Sequence, residues 1–549
     1  MKYEIVDVDA LGRIGTLEIN NKKMITPNLF PVVHPFKNII PPSDLKSFGA
    51  QAIFTNAYIL FQNESIRERL MEKKIHQFLD YDGLIATDSG AFQQYMYNKS
   101  NMKIEAEEIE AFQEKIESDF PVILDIPVQP DDAYEIAKNK VDATIIRAKE
   151  NINRRSNENC AWFGPIHGGK YEDLLTRCVH EMNKLDFGVY AIGGLVKSFL
   201  DYRFDVALQI LLNVKKQIIP NKPLHMFGLG LPQFFSLAVA CGCDLMDSAA
   251  YVLYAKENRY FTLSTGTKNL DDLEEFPCHC PICTKFTPSE LRKYEKDLRI
   301  KLLAEHNLYL SFSELKIIRQ AIREGNLWEL VEQRTRTHPN LVKAARILKR
   351  ESPTFEIYEK IYKKSGRLFV SSENIFRPLI NRYEKKMINN YRVPEDVKFL
   401  IILPELDARE ENSPAIQNWL KEINDNIIIP REEIHIVFNS SYFGIIPLEL
   451  KSTYPVGQFE SIKAIDENDE LYENSVKKSS AFINQFYQKY DKCGVLIPET
   501  YLNEFNELVE FNTMNPIRGL DSILKSKFQT NYSVFKNIED LLQFFRKVK

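Results

Sequence analysis

The sequence has 549 residues, 44% of them hydrophobic and 27% charged, with a formal net charge of −5. That length exceeds one ordinary core and predicts two or three domains, and the composition excludes wholesale disorder. The small net charge decides neither for nor against a nucleic-acid partner, so any basic surface has to be local. The N-terminus, MKYEIVDVDALGRIG, carries acids and no apolar signal core, and no run of about 18 apolar residues occurs. A cytoplasmic chain without a membrane span is the expectation.

Over the first 260 residues one pattern repeats: a short apolar run ends in a small or polar residue, and a helix-like segment follows. The runs are QAIFTNAY (51–58), GLIATDSG (83–90), PVILDIPV (121–128), CAWFGPIHGG (160–169), FGVYAIGGL (187–195), LHMFGLGLP (224–232) and CDLMDSAAY (243–251). Segments such as EAEEIEAFQEKI (105–116) and SLAVACG (236–242) lie between them. Continuous apolar runs suit strands buried on both faces, and their alternation with helices implies parallel βαβ units.

An open doubly wound sheet and a (β/α)8 barrel both fit that pattern. A dinucleotide fold places GxGxxG after its first strand, whereas the nearest match here, GLGLPQ at 228–233, comes late and lacks the third glycine. In a barrel, function sits where strands end, and the unusual polar residues of this sequence sit there. The predicted fold is α/β: a (β/α)8 TIM barrel over residues 1–345 with a Cys/His-rich subdomain at 278–306.

Residues 286–350 read as helices. Thr287 is a candidate cap with Pro288 in the first turn, and SFSELKIIRQAIREGNLWELVEQ (311–333) carries a 3.6-residue apolar period. Residues 346–395 read as a basic helical linker. From Lys343 to Arg392 there are thirteen Lys/Arg against five Glu and no Asp, interleaved with Tyr358, Tyr362, Phe376 and Tyr383. Such a stretch is either a phosphate-binding patch or a solvated helical face. Residues 396–549 restart the α/β pattern, with strand candidates at 397–405, 434–441 and 493–500.

Three of the eight cysteines cluster as Cys278-x-Cys280-x2-Cys283, and His306 follows after 22 intervening residues. Three thiolates and one imidazole fill a tetrahedral Zn2+ shell, and a closed shell makes the ion structural. His279 is an alternative fourth ligand, and three unliganded thiols are the bland alternative. Asp88, Asp125 and Asp247 each follow an apolar run. A strand-end aspartate alone is most simply a helix cap. Three converging on one mouth suit glycosyl chemistry, in which one attacks an anomeric carbon, one moves protons and one reads a polar substrate edge.

These residues resemble the archaeal tRNA-guanine transglycosylases. The resemblance is carried by 31–58, TDSGAFQ (87–93), LDIPVQPD (124–131), YAIGGLV (190–196), MFGLGLP (226–232), CDLMDSAAYVLYAKENRY (243–260), CHCPICTKFTPSEL (278–291) and LLAEHNLYL (302–310), and covers roughly residues 1–350. It implies exchange of guanine at position 15 of tRNA for 7-cyano-7-deazaguanine (preQ0), a step toward archaeosine. It implies Asp247 as nucleophile on ribose C1′ and Asp88 as general acid/base. It also implies Asp125 as acceptor for the base N1–H and 2-amino group, Phe92 as the stacking ring, and Gly193, Gly194 and Leu195 as a backbone loop against the base.

Two departures from the family stand out. His167 occupies the place of a glutamine, and imidazole offers its donor and acceptor in a different geometry. The small RNA-binding PUA module is not evident. Instead, residues 397–460 resemble a domain shared with archaeosine synthases, without their PC-x2-KPY-type motif. A separate PUA-domain protein, tRNA and a second copy of the chain are the expected partners. The rival readings are an archaeosine-synthase-like paralogue acting on preQ0-tRNA and a non-catalytic tRNA-binding subunit.

Overall fold

The computed structural model describes residues 1–91, 105–264, 266–364, 367–406, 413–461 and 470–546. They form two compact units, Met1–Arg350 and Glu351–Lys549. Among the described residues no helix is long and apolar enough to cross a membrane.

The first unit opens with an antiparallel meander of β1 (Lys2–Asp9), β2 (Gly12–Ile19) and β3 (Lys22–Thr26). Eight short strands follow: β4 (Asn28–Pro31), β5 (Ala52–Asn56), β6 (Leu84–Asp88), β7 (Phe120–Pro121), β8 (Phe163–Ile166), β9 (Val189–Ile192), β10 (Leu224–Met226) and β11 (Leu245–Ser248). They pair in parallel as two sheets, β4-β11-β10-β9-β8 and β5-β6-β7. Single parallel bridges, Val32 to Phe54 and Val122 to Phe163, join the two sheets at both edges. Six of the apolar runs contain strands of three to five residues, whereas the run at 121–128 supplies only the end of the two-residue β7.

Phe30, Phe54, Phe120 and Phe163 share one core, with Phe54 and Phe163 rings 6.1 Å apart and Phe120 and Phe163 5.9 Å apart. Ala52, Ala86, Ala161 and Ala191 leave room for these rings, and Leu17, Ile19 and Met24 of the meander complete the cluster. Alternating large and small side chains is how a tapering interior is filled, each buried phenyl contributing about 1.5–3 kcal/mol.

The meander covers the end where strands begin. Lys22 Nζ donates to the Gly83 carbonyl (2.9 Å) and Asn20 Nδ2 to Asp119 (2.9 Å), just before β6 and β7. Arg13 holds Asp244, just before β11, through two bonds of 2.7 Å. Burial would raise the pKa of Asp244, but the adjacent Arg13 guanidinium, with Lys215 behind it, holds it below the usual carboxylate value. The opposite end, where β6 and β11 stop, is left for function.

Helices follow the parallel strands, among them Ala106–Lys115, Tyr134–Arg154, Glu172–Met182 and Pro232–Ala240. After β11 the chain makes an excursion through the hairpin Arg259–Thr262/Gly266–Asn269 and the helix Pro288–Lys293. Thr287 and Glu290 form a reciprocal capping box at that helix start, as the Thr-Pro-x-Glu sequence predicts. The 29-residue helix Lys296–Glu324 then runs until Gly325, whose φ of +74° stops it.

The second unit has a five-stranded sheet ordered Gly444–Pro447, Ile434–Ser440, Phe399–Pro404, Lys492–Leu496, Tyr532–Phe535. Only the first pair is antiparallel. Residues 351–395 belong to this unit, and Arg367–Phe369 pairs with Phe459–Ser461. Much of the basic stretch is engaged internally. Arg367 and Arg377 are buried, Lys363 pairs with Glu359 at 2.5 Å, and Arg382 donates to the carbonyls of Lys360 (3.1 Å) and Glu359 (3.0 Å). The free basic surface is therefore thinner than the residue count suggests.

Candidate active site and metal centre

A cavity of about 520 Å3 opens at the ends of the parallel strands of the first unit. Asp88, Asp125, His167, Gly193, Gly194 and Asp247 all line it. These residues come from β6, the segment after β7, the end of β8, the end of β9, and β11. Leu195 does not line the cavity; it is 1% exposed and precedes the helix Val196–Leu200. Phe92 lies outside the described residues.

Asp88 is the last residue of β6 and lies opposite Asn56 of β5 in the strand register. Asn56 Nδ2 donates to Asp88 Oδ2 (2.9 Å), while Asn56 Oδ1 accepts from the Ile59 amide and caps the next helix. One asparagine thus anchors both the carboxylate and the helix start. The chain then turns at Gly90, with φ +93°, where a Cβ would lie 2.3 Å from Tyr58 Cβ. Only glycine meets both conditions.

Asp125 is 8% exposed, and its Oδ2 lies 2.5 Å from His167 Nε2. His167 is itself buried, with Nδ1 lacking a hydrogen-bond partner among the described residues. A Cβ on Gly193 would fall 2.2 Å from His167 Cε1, so the glycine makes space for the imidazole. The residue that departs from the expected glutamine therefore bonds directly to Asp125.

Asp247 has a side chain 13% exposed, and its Oδ1 accepts from His225 Nε2 (2.7 Å) and the Gly228 amide (3.1 Å). Its Oδ2 receives no hydrogen bond from a described residue. A Cβ on Gly230 would lie 1.9 Å from Ser248 Oγ, which explains the small residue beside this strand end. Lys37 and Lys256, both exposed, stand at the cavity with His34. Burial, with these two cations beside it, holds the His34 imidazole below its ordinary pKa. A positive rim of that kind suits a phosphodiester.

Sequence reading missed Asn56 and His225. Asn56 carries an available signal, an asparagine between a strand and a helix, which is a cap signature. His225 carries none beyond being a polar residue inside an apolar strand.

The ligand atoms of Cys278, Cys280, Cys283 and His306 all lie within 4.8 Å of one another. Cys283 Sγ is 3.3 Å and Cys280 Sγ 3.5 Å from His306 Nδ1. His306 Nε2 donates to the Phe261 carbonyl (3.0 Å), which leaves the Nδ1 lone pair facing the sulfurs. Tyr260 stacks on the imidazole with ring centroids 3.7 Å apart. A tetrahedral ion with three sulfur and one nitrogen donors fits this arrangement. His279 is exposed and outside the cluster. The neighbouring Asn307 ties this helix to the cavity wall, accepting from the Phe261 amide (2.9 Å) and donating to the Tyr251 carbonyl (3.1 Å).

Comparison with known sequences bears on both clusters at once. The family described as queuine tRNA-ribosyltransferase matches residues 8–340. The chain belongs to this family of transglycosylase enzymes. A tRNA-guanine(15) transglycosylase of Methanocaldococcus jannaschii is 37% identical over 556 aligned residues, covering 100% of this chain and 81% of that protein. Proteins of the same name from Methanococcus maripaludis and Methanobrevibacter smithii are 36% and 37% identical, covering 94% and 89% of this chain and 77% and 72% of theirs. The family match spans the cavity and the metal cluster, and the longer alignments extend into the second unit.

Proposed function

We propose that this chain exchanges guanine at position 15 of tRNA for preQ0 through a covalent ribosyl–aspartate intermediate, in archaeosine biosynthesis. The observation that carries the reading is the convergence of Asp88, Asp125 and Asp247 on one cavity in a member of this family. The proposed frame is a (β/α)8 barrel made of β4–β11. Its support is the all-parallel pairing together with the two bridges that connect the edges of the sheets. Catalytic groups then stand at the strand ends, as barrels arrange them.

In the first displacement an Asp247 oxygen attacks ribose C1′. The bond from C1′ to the base nitrogen breaks, its electron pair leaves with guanine, and the Asp88 carboxyl gives the base a proton. In the second, Asp88 takes a proton from the incoming base, whose nitrogen attacks C1′. The C1′–oxygen bond breaks and its electrons return to Asp247. Two inversions give net retention. Asp125 accepts from adjacent N–H donors of the base, with His167 fixing its orientation, while Gly193 and Gly194 leave backbone room beside it. The proposed zinc ion, held by Cys278, Cys280, Cys283 and His306, supplies structure rather than chemistry.

Trapping tests the reading. The enzyme is incubated with archaeal tRNA transcript, denatured, and resolved for a protein–RNA adduct, and labelled preQ0 is then chased into the tRNA. The expected result is an adduct formed by the parent chain, absent in Asp247→Ala, and discharged by preQ0. No adduct and no incorporation would favour a tRNA-binding subunit. Activity confined to tRNA already bearing preQ0 would favour the archaeosine-synthase-like reading.

A further inference from the structure

We propose that His225 is a positioning residue that controls how readily the Asp247 ester is discharged. The inference rests on the reading of Asp247 as nucleophile. His225 lies on β10, is fully buried, and is enclosed by aromatic rings: Phe227 at 5.0 Å, Phe163 at 5.1 Å, Phe30 at 5.9 Å and Phe54 at 6.1 Å between centroids. In that enclosure its Nε2 meets Asp247 Oδ1 at 2.7 Å, and its Nδ1 has no hydrogen-bond partner among the described residues. A phenylalanine would fill this space without desolvating a ring nitrogen. Packing therefore does not explain the histidine, whereas its single bond to the carboxylate does.

Both donors, His225 Nε2 and the Gly228 amide, address the same oxygen, Oδ1. Oδ2 is thereby left to form and break the bond to C1′. While Asp247 is an ester through Oδ2, Oδ1 is a neutral carbonyl oxygen. As the C1′–Oδ2 bond breaks, the electron pair passes into the carboxylate and Oδ1 gains negative charge. Hydrogen bonds to an ionised acceptor are roughly twice as strong as those to a neutral one. The two donors therefore favour the free carboxylate over the ester. They restrain the first displacement and assist the second, so that the intermediate does not accumulate as a dead end.

The two half-reactions, measured separately, test this: the rate of adduct formation with tRNA, and the rate of discharge of isolated adduct by preQ0. His225→Phe keeps an aromatic ring and removes the donor. It should slow discharge on the order of tenfold while formation is unchanged or faster, so that adduct accumulates at steady state. His225→Gln, which places an amide donor near the Nε2 position, should recover most of the discharge rate. Should the phenylalanine chain fail to fold, His225→Asn, too short to reach Oδ1, gives the same comparison. Equal slowing of both half-reactions, or discharge unchanged in a folded variant, would overturn the proposal. A parent chain that forms no adduct would instead remove the reading of Asp247 on which it rests.

Discussion

The metal cluster and the carboxylate cavity are both knots of polar side chains in the first unit, yet they are built from opposite kinds of distance along the chain. Cys278, Cys280 and Cys283 come from the excursion after β11 and His306 from the helix that follows it, and their ligand atoms lie within 4.8 Å of one another. Asp88, Asp125 and Asp247 come from the end of β6, the segment after β7, and β11, and converge only because the parallel strands run toward one mouth. A local cluster can be held by its own ion, whereas a dispersed one depends on the whole scaffold. The first should therefore control stability and the second should control rate.

Removing the proposed ion gives the largest expected effect. A structural Zn2+ of this type contributes about 10–16 kcal/mol of apparent binding free energy at neutral pH, all of it folding free energy where the site forms only on folding. Chelation, or Cys283→Ser, should raise hydrogen exchange across 270–310 and lower the melting temperature well before activity is assayed. Asn307 connects this region to the Tyr251 carbonyl in the cavity wall, so activity should fall as a consequence of unfolding. Loss of activity with exchange across 270–310 unchanged would mean that the ion belongs to the chemistry.

The carboxylates should show the converse. Asp247→Asn is expected to abolish the adduct and lower turnover by about 10^4-fold or more, with melting close to that of the parent. Asp88→Ala should also abolish turnover while tRNA affinity stays within a few-fold, because phosphate contacts supply most of the binding. A parallel collapse of affinity in Asp88→Ala would move that residue from proton transfer to positioning.

Asp125 and His167 sharpen the comparison within the cavity. Asp125→Asn turns one acceptor into a donor toward the base and should cost about 1–3 kcal/mol in kcat/KM for preQ0. His167→Gln changes the partner of Asp125 and should alter the preference among guanine, preQ0 and preQ1 more than it alters tRNA affinity. Identical relative rates for the three bases would show that this buried pair does not select the base.

The same contrast explains what could be read from sequence. The Cys/His cluster was legible because four uncommon residues fall within 29 positions, from Cys278 to His306. Strand ends bearing Asp88 and Asp247 were legible because buried parallel strands leave continuous apolar runs. Their partners were not. Asn56 and His225 lie 32 and 22 residues from the aspartates they hold, at separations no periodicity links. The meander escaped because β1, KYEIVDVD, is largely exposed and carries no buried run. The four-residue β4, Asn28–Pro31, escaped because Pro27, Pro31 and Pro35 interrupt its apolar stretch and read as loop punctuation. Counting charges misled most. Arg367, 0% exposed, and Arg377, 2% exposed, are internal props, and a tally of cations cannot distinguish them from a phosphate-binding surface.

The smallest expected effect is also the cleanest separation of the two clusters. Thr287 Oγ1 accepts from the Glu290 amide at 3.3 Å, and the Glu290 carboxylate accepts from the Thr287 amide at 2.7 Å. This box starts the helix Pro288–Lys293, four residues beyond Cys283 and remote in sequence from every carboxylate of the cavity. Thr287→Ala removes one side of the box and should cost about 1 kcal/mol of stability. With metal bound, that loss is small beside what the ion contributes, so the helix should persist, and adduct formation and discharge should both stay within about twofold. The cost should become visible when metal is limiting, as a weaker apparent metal affinity, because folding and ligation of this segment are one equilibrium. Titration with metal while recording both melting and the two half-reactions reads these quantities side by side. A half-reaction that slows in the metal-saturated Thr287→Ala chain would show that the excursion transmits strain to the mouth, and the division between stability and rate would have to be redrawn at Asn307.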